Sequence, residues 1–190
     1  TLGLNYTKGS GFFEQFKEET QVQSDLDGDG ILDVDNYNGI LVGTDTETQF
    51  NDDGSTTIIP ITNAIVRRWL DNDFYVFNFN TNYKTDKINF ITGVSYSHYT
   101  GDHFGEVIWG KEFSDNANIR DRYYFSDAKK TDFSMFAKAT FSINEKLSAY
   151  VDLQGRFVGY QTKGITNDIV PIDVDANFNF FNPKFGFTYN

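Results

Sequence analysis

Carboxylates recur at alternate positions in the segment 25–36, which reads Asp-Leu-Asp-Gly-Asp-Gly-Ile-Leu-Asp-Val-Asp-Asn. Hard cations such as Ca²⁺ take about six to eight oxygen ligands, and a loop with carboxylates at its first, third and fifth positions supplies them when a glycine follows and allows a sharp turn. Gly30 stands at that position here, and the next backbone carbonyl adds a further ligand. The predicted metal ligands are Asp25, Asp27, Asp29, the carbonyl of Ile31, Asp33 and Asn36.

The last position of this segment is Asn36, where an EF-hand carries a bidentate Glu. The segment therefore resembles the calcium loops of thrombospondin type 3 repeats more closely than it resembles an EF-hand. The alternative interpretation is an acidic loop that is only solvated. We expect Ca²⁺ to order this segment.

A second group of polar and aromatic side chains, Asp102, His103, Glu106 and Trp109, lies within one segment that we interpret as a loop. Such a loop would contact a ligand, because a Trp ring supplies a large and rigid contact area. The alternative is that Trp109 belongs to an aromatic girdle at a membrane interface and His103 caps the loop. With two histidines, no cysteine and no Ser/His/Asp arrangement in an identifiable motif, the sequence gives no support to an enzyme.

The elements that position these groups are predicted by a strict alternation of apolar and polar residues. Tyr75, Phe77 and Phe79 would line one face of a strand, and Asn78 and Asn80 the other. The same alternation predicts six long antiparallel strands. They run from Leu2 toward Phe16 and over about 66–83, 88–97, 133–142, 147–157 and 181–190. Such two-faced strands suit the wall of a transmembrane barrel, which has lipid outside and a wet lumen inside.

The connections between these strands alternate in length. The polar turns at 84–87 and 144–146 are short, whereas the segment 21–63 is long, and so is the segment 100–120, which is a second large loop or a strand extension. We interpret 21–63 as one long extracellular loop insert, since it has no regular period except at 40–42 and 57–61. Short periplasmic turns and long extracellular loops are typical of outer-membrane barrels. The predicted fold class is therefore all-β, a segment of an antiparallel up-and-down transmembrane β-barrel.

Composition excludes several other classes of protein. No run approaches the roughly 20 apolar residues of a spanning helix. The net charge of -11 argues against a nucleic-acid partner, because a basic surface is needed to neutralise phosphates. The absence of cysteine excludes a disulfide-stapled module and a thiolate metal site. The chain begins at Thr1 instead of Met, so we expect a processed protein or a section of one.

Three stretches resemble the barrel of TonB-dependent receptors, the ligand-gated importers of the outer membrane. They are RRWLDNDFY at 67–75, GDHFGEVIW at 101–109 and FFNPKFGFTY at 180–189, and the opening LNYTKG at 4–9 with FFEQF at 12–16 is similar to a strand of the same family. The resemblance implies a barrel of about 22 strands with a plugged lumen. Six strands would leave two open edges, which lipid does not tolerate. We therefore expect residues 1–190 to be an internal section of one barrel domain, with no plug domain present.

The resemblance implies energised import of a scarce nutrient, such as an iron chelate, a vitamin or an oligosaccharide, across the outer membrane of a Gram-negative cell. The implied partners are outer-membrane lipid, the remainder of the barrel and its plug, TonB acting through that plug, and a small-molecule ligand that the sequence does not identify. One alternative is a small autonomous outer-membrane barrel with a structural or adhesive role. Another is a secreted calcium-binding β-sandwich module.

Overall fold

One large antiparallel sheet forms most of the structure, a computed structural model that describes residues 1–189. The strands are β1 (Leu2–Gln21), β2 (Gln23–Ser24), β3 (Val34–Asp35), β4 (Asp45–Phe50), β5 (Thr56–Lys84), β6 (Ile88–Gly110), β7 (Arg122–Ser142), β8 (Leu147–Ile165) and β9 (Pro171–Tyr189). The large sheet has the order β1-β5-β6-β7-β8-β9, and β4 also pairs with β5. No helix of residues 1–189 is long and apolar enough to span a membrane. The predicted all-β, antiparallel fold class is confirmed.

All six predicted long strands are present, and most extend well beyond the predicted bounds. β5 begins at Thr56, β6 continues to Gly110, and β9 begins at Pro171. Glycines or charged residues interrupt the alternation at the added ends of β6 and β9, and consecutive apolar and polar residues do so at the start of β5, but each backbone still has a neighbouring strand to pair with. Pairing therefore continues where the side-chain pattern stops. Asn190, predicted to end the last strand, lies outside the described residues.

The sheet has two chemically different faces, because residues directly opposite each other on adjacent strands point to the same side. One row of opposed residues is Leu4, Phe77, Tyr96, Phe133 and Phe157. We call their side the aromatic face. The next row is Gly3, Asn78, Ser95, Ser134 and Arg156. We call their side the polar face.

The segment 21–63 is not the single long loop that the sequence predicts. β2 pairs with β3, and β4 forms a hairpin with the first residues of β5. Ile61 pairs with both Gln21 and Asp45, so β1 and β4 lie on opposite edges of β5. The hairpin was hidden because β4 is an edge strand rich in Thr, Glu and Gln, with almost no apolar side chains to reveal its period.

This insert packs onto the polar face at the end of the sheet remote from the turns at 85–87 and 143–146, which we call the insert end. Val66 and Val107 oppose each other there and are 0% exposed. The core comprises Val22, Tyr37, Ile40 and Leu41 of the insert and Ala64, Val66, Val107, Tyr123 and Tyr124 of the sheet. The insert is thus a packed part of the fold that covers one end of the polar face.

Two tyrosines join the insert to the sheet. The hydroxyls of Tyr37 and Thr20 are hydrogen-bonded at 2.8 Å, and the ring of Tyr37 lies 5.4 Å from that of Tyr123. Burial raises the pKa of both Tyr37 and Tyr123, and the neighbouring Tyr124 raises that of Tyr123 further. Both phenols therefore stay neutral and pack as largely apolar groups.

Candidate functional site

The acidic segment of the insert brings three of the predicted metal ligands together. One carboxylate oxygen from each of Asp25, Asp27 and Asp29 lies within 4.8 Å of the others, and Asp25 is buried. The loop turns at Gly28 and Gly30, whose φ angles of 78° and 89° favour glycine. The segment thus folds with its first three acids converging, as the predicted cation site requires.

The carboxylate of Asp25 is the centre of this arrangement. It accepts hydrogen bonds from the backbone N–H groups of Gly28 and Gly30, at 2.8 and 2.9 Å, and from the Thr57 hydroxyl at 3.3 Å. Burial by itself raises the pKa of Asp25, but the hydrogen bonds from Gly30, Gly28 and Thr57 outweigh it and hold the pKa below its ordinary value. Asp25 is therefore ionised at neutral pH.

The other predicted ligands do not all face this cluster. Asp33 accepts a hydrogen bond from the Leu26 N–H at 3.2 Å, across the mouth of the loop. The side chain of Asn36 donates instead to the Gln21 carbonyl and the Ser24 hydroxyl, at 3.0 and 2.7 Å. Asn36 thus joins the turn that follows β3 to the end of β1 and to β2, and its amide nitrogen is engaged outside the carboxylate cluster.

One residue near the acidic loop was not expected from the sequence. Asn51 donates from its side-chain nitrogen to the Thr57 hydroxyl at 2.9 Å, and that hydroxyl in turn donates to Asp25. The amide oxygen of Asn51 is buried and has no hydrogen-bond partner within residues 1–189. Sequence spacing could not reveal Asn51, because the β4–β5 hairpin brings it to the loop from outside the motif.

The predicted ligand-contacting group at 102–109 is not a loop. Asp102, His103, Glu106 and Trp109 all lie in β6. Pairing places Asp102, Glu106 and Trp109 on the aromatic face, opposite Asp71, Arg67 and Ile65, and leaves His103 alone on the polar face. Glu106 is buried, accepts from the Trp69 ring nitrogen at 2.9 Å and pairs with Arg120 at 3.5 Å. The structure thus has the strand extension here instead of the loop, and a continuous strand separates adjacent side chains onto two faces.

Beside the insert core, the polar face contains a recess of about 540 Å³. Its floor is formed at Gly9 and Gly11, and a β-carbon added to Gly11 would meet no atom within 4 Å. The side chains around it are Phe13, Arg68, Leu70, Asn72, His103 and Tyr124. Strand pairing puts all of them on the polar face. Among these residues the sequence predicted only His103 as a ligand contact, because the others are scattered over β1, β5 and β7.

Comparisons with protein families, curated proteins and solved structures returned no match for this chain.

Proposed function

We propose that this chain is a section of the wall of an outer-membrane β-barrel of the TonB-dependent receptor kind, which imports a scarce nutrient. The aromatic face would contact lipid, the polar face would border the lumen, and the insert end would be extracellular. The observation that carries the proposal is the bare aromatic face. Phe185, Phe187 and Tyr189 are 80%, 72% and 74% exposed. In water, a soluble monomer rarely leaves an apolar patch of more than a few hundred Å² uncovered.

The position of the edge of this apolar surface supports contact with a membrane. On the aromatic face, Tyr75 is the last apolar residue of β5 before Asp73, and the corresponding residue of β9 is Phe181, before Asn179. The row of Tyr75 reaches β9 at Asn177, so the apolar boundary shifts by about four residues across the sheet. With about 3.3 Å per residue and about 4.8 Å per strand, that shift corresponds to strands tilted by about 35° from the normal of the boundary, at the lower end of the tilt of about 35–45° in such barrels.

A belt of charged residues follows the apolar surface on the same face. Lys8 pairs with Asp71 and Asp73 at 3.3 Å, and Lys163 pairs with Asp173 at 3.1 Å. Charges at this height suit a head-group layer, where water and ions solvate them. On the aromatic face, the long strands pass from apolar to polar and then charged side chains toward the insert end, and this change supports a bilayer boundary there.

The alternatives fit the sheet less well. A sandwich needs a second sheet over the apolar face, and residues 1–189 form one large sheet and one two-stranded pair. A small autonomous barrel needs its outer strands to pair with each other, whereas β1 and β9 are the two ends of the described sheet. Strands from elsewhere in a larger barrel would cover both edges.

Single-cysteine labelling tests which face meets lipid, and the chain has no cysteine of its own. We would place a fluorophore at Met135→Cys on the aromatic face, and at the adjacent Ser134→Cys on the polar face, in the intact polypeptide in vesicles. Quenching by brominated lipid at position 135, and by aqueous iodide at position 134, is expected. Equal access of iodide to both positions would refute a lipid-facing surface.

We also propose that the acidic segment binds Ca²⁺ as a structural ion. The support is the convergence of Asp25, Asp27 and Asp29 and the orphan amide oxygen of Asn51 nearby. Oxygen ligands of this kind suit a hard cation. When bound, Ca²⁺ would neutralise part of the charge that these acids place close together, and so hold the insert against β5.

A further inference from the structure

We infer that the recess on the polar face binds an anionic group carried by an apolar body, through Arg68. This inference rests on the proposed function, in which the polar face borders the path of the ligand. It goes beyond that function by naming the chemical class of the ligand and the residues that recognise it.

The unpaired charge of Arg68 is the first observation. Arg67, Arg120 and Arg156 each pair with a carboxylate, but no carboxylate of residues 1–189 lies within 4.0 Å of the half-buried Arg68 guanidinium. Arg68 donates to the Tyr124 hydroxyl at 3.4 Å and lies 5.4 Å from the ring centroid of Phe13. Partial burial of an unpaired cation is costly unless an anion joins it. The chain has 27 Asp and Glu residues against 16 Lys and Arg residues, so the lack of a carboxylate partner for Arg68 is not due to a shortage of acids.

The shape of the recess is the second observation. Gly9 leaves room for the amide of Asn72, whose oxygen would lie only 2.5 Å from an added β-carbon, and Gly11 leaves open space. Phe13 is 55% exposed and Leu70 is also exposed, so both can cover an apolar body. A guanidinium holds a carboxylate or phosphate with two parallel hydrogen bonds. Together, these groups match an amphiphilic anion of small-molecule size.

The acidic cluster of Asp25, Asp27 and Asp29 does not prevent this binding. Asp25 contacts Thr57, which precedes Arg68 by eleven residues of the same strand, or about 36 Å at 3.3 Å per residue. Charges farther apart than about 8 Å are largely screened at physiological ionic strength. Contact with Arg68 at short range therefore decides the affinity.

The test uses the intact polypeptide in detergent micelles, with benzoate and phenyl phosphate as anionic probes and benzamide as the neutral probe. Binding is measured by ligand-observed NMR and calorimetry. We expect the anions to bind the wild type at least tenfold more tightly than benzamide, because only the anions form a charge-assisted pair with Arg68. Arg68→Gln should abolish that preference, and Gly11→Leu should weaken all three probes by filling the open space.

Arg122→Gln is the matched control. Arg122 also stacks on an aromatic ring, 3.8 Å from the centroid of Phe104, but it lies on the aromatic face and is exposed. It should leave anion binding unchanged. If Arg68→Gln fails to fold, Arg68→Lys replaces it, and should reduce anion binding while keeping the charge. Equal binding of anions and benzamide, or equal losses in Arg68→Gln and Arg122→Gln, would overturn the inference. Because lipid labelling at position 135 is measured separately, a wild type that shows no preference for anions but is labelled as expected refutes only this inference.

Discussion

Asp27 and Asp29 are the residues on which calcium binding can be tested without disturbing the fold. Both are exposed, and each makes only a local hydrogen bond to the second N–H that follows it. In Asp27→Asn with Asp29→Asn, we expect the affinity for Ca²⁺ to fall at least tenfold, because two charged ligands are lost. Isothermal titration measures this. Asp52→Asn, in the β4–β5 turn, is the control, and a wild type that shows no heat up to millimolar Ca²⁺ would contradict the site.

Asp25 gives the insert a dependence on pH. Its pKa is below the ordinary value in the folded protein, so its stabilising effect is fully present above an unfolded pKa of about 3.9 and is lost as the pH falls through the lower, folded value. We expect segment 25–36 to lose hydrogen-exchange protection in that acidic window, after correction for intrinsic exchange rates. Asp25→Asn should be poorly protected at every pH. A midpoint near pH 6 would point to a different titrating group.

How far these residues could be predicted depends on whether their partners are local. The cluster of Asp25, Asp27 and Asp29 follows from spacing within one loop, so the sequence predicts it directly. The recess around Arg68 is formed with Gly11 of β1 and Tyr124 of β7. Asn51 reaches the acidic loop only because the β4–β5 hairpin brings it there. Contacts between strands distant in the chain leave no local pattern.

At the scale of elements, the attachment of the insert to the sheet depends on a few buried side chains. Leu41 is 4% exposed and packs against Gly110, where any β-carbon would collide with it. Leu41→Ala should destabilise the insert by about 2–5 kcal/mol, because it leaves a cavity. Hydrogen exchange of segment 36–44 reports this local opening. Leu26→Ala is the matched control in the same insert, since Leu26 is 71% exposed, and an equal effect of both changes would argue against a packed insert.

The element-scale prediction from sequence succeeded where alternation is strict and failed where it is not. From Phe133 to Phe141 only Phe136 breaks the alternation, and β7 is correctly found there. On β9, Phe178 and Phe180 lie on the polar face while Asn177 and Asn179 lie on the aromatic face, so the pattern reverses and the strand start was missed. Glycines at 101 and 105 interrupt the pattern of the segment 102–109, so the sequence did not distinguish a loop from a strand extension there.

At the scale of the whole molecule, the two edges of the large sheet lead to a prediction about what surrounds this chain. Within residues 1–189, β1 and β9 each have one long neighbour, whereas β6 and β7 have two. If further strands complete a barrel, the outer amides of β1 and β9 should exchange as slowly as those of β6 in the intact polypeptide in vesicles. Fast exchange at alternate amides of β1 would indicate an open sheet, and would contradict the barrel.

If the insert end is extracellular, as proposed, the hairpin of β4 and β5 has a practical consequence for cell-surface engineering. Its tip at 52–54 is exposed, and the turn is closed by hydrogen bonds between the backbones of Asn51 and Ser55 and between Gly54 and Asn51. Because β5 is one continuous strand from this tip into the sheet, no flexible segment separates the tip from the sheet along β5. A peptide tag grafted there would be displayed on a stiff stalk at a fixed height, accessible to antibodies without a flexible spacer.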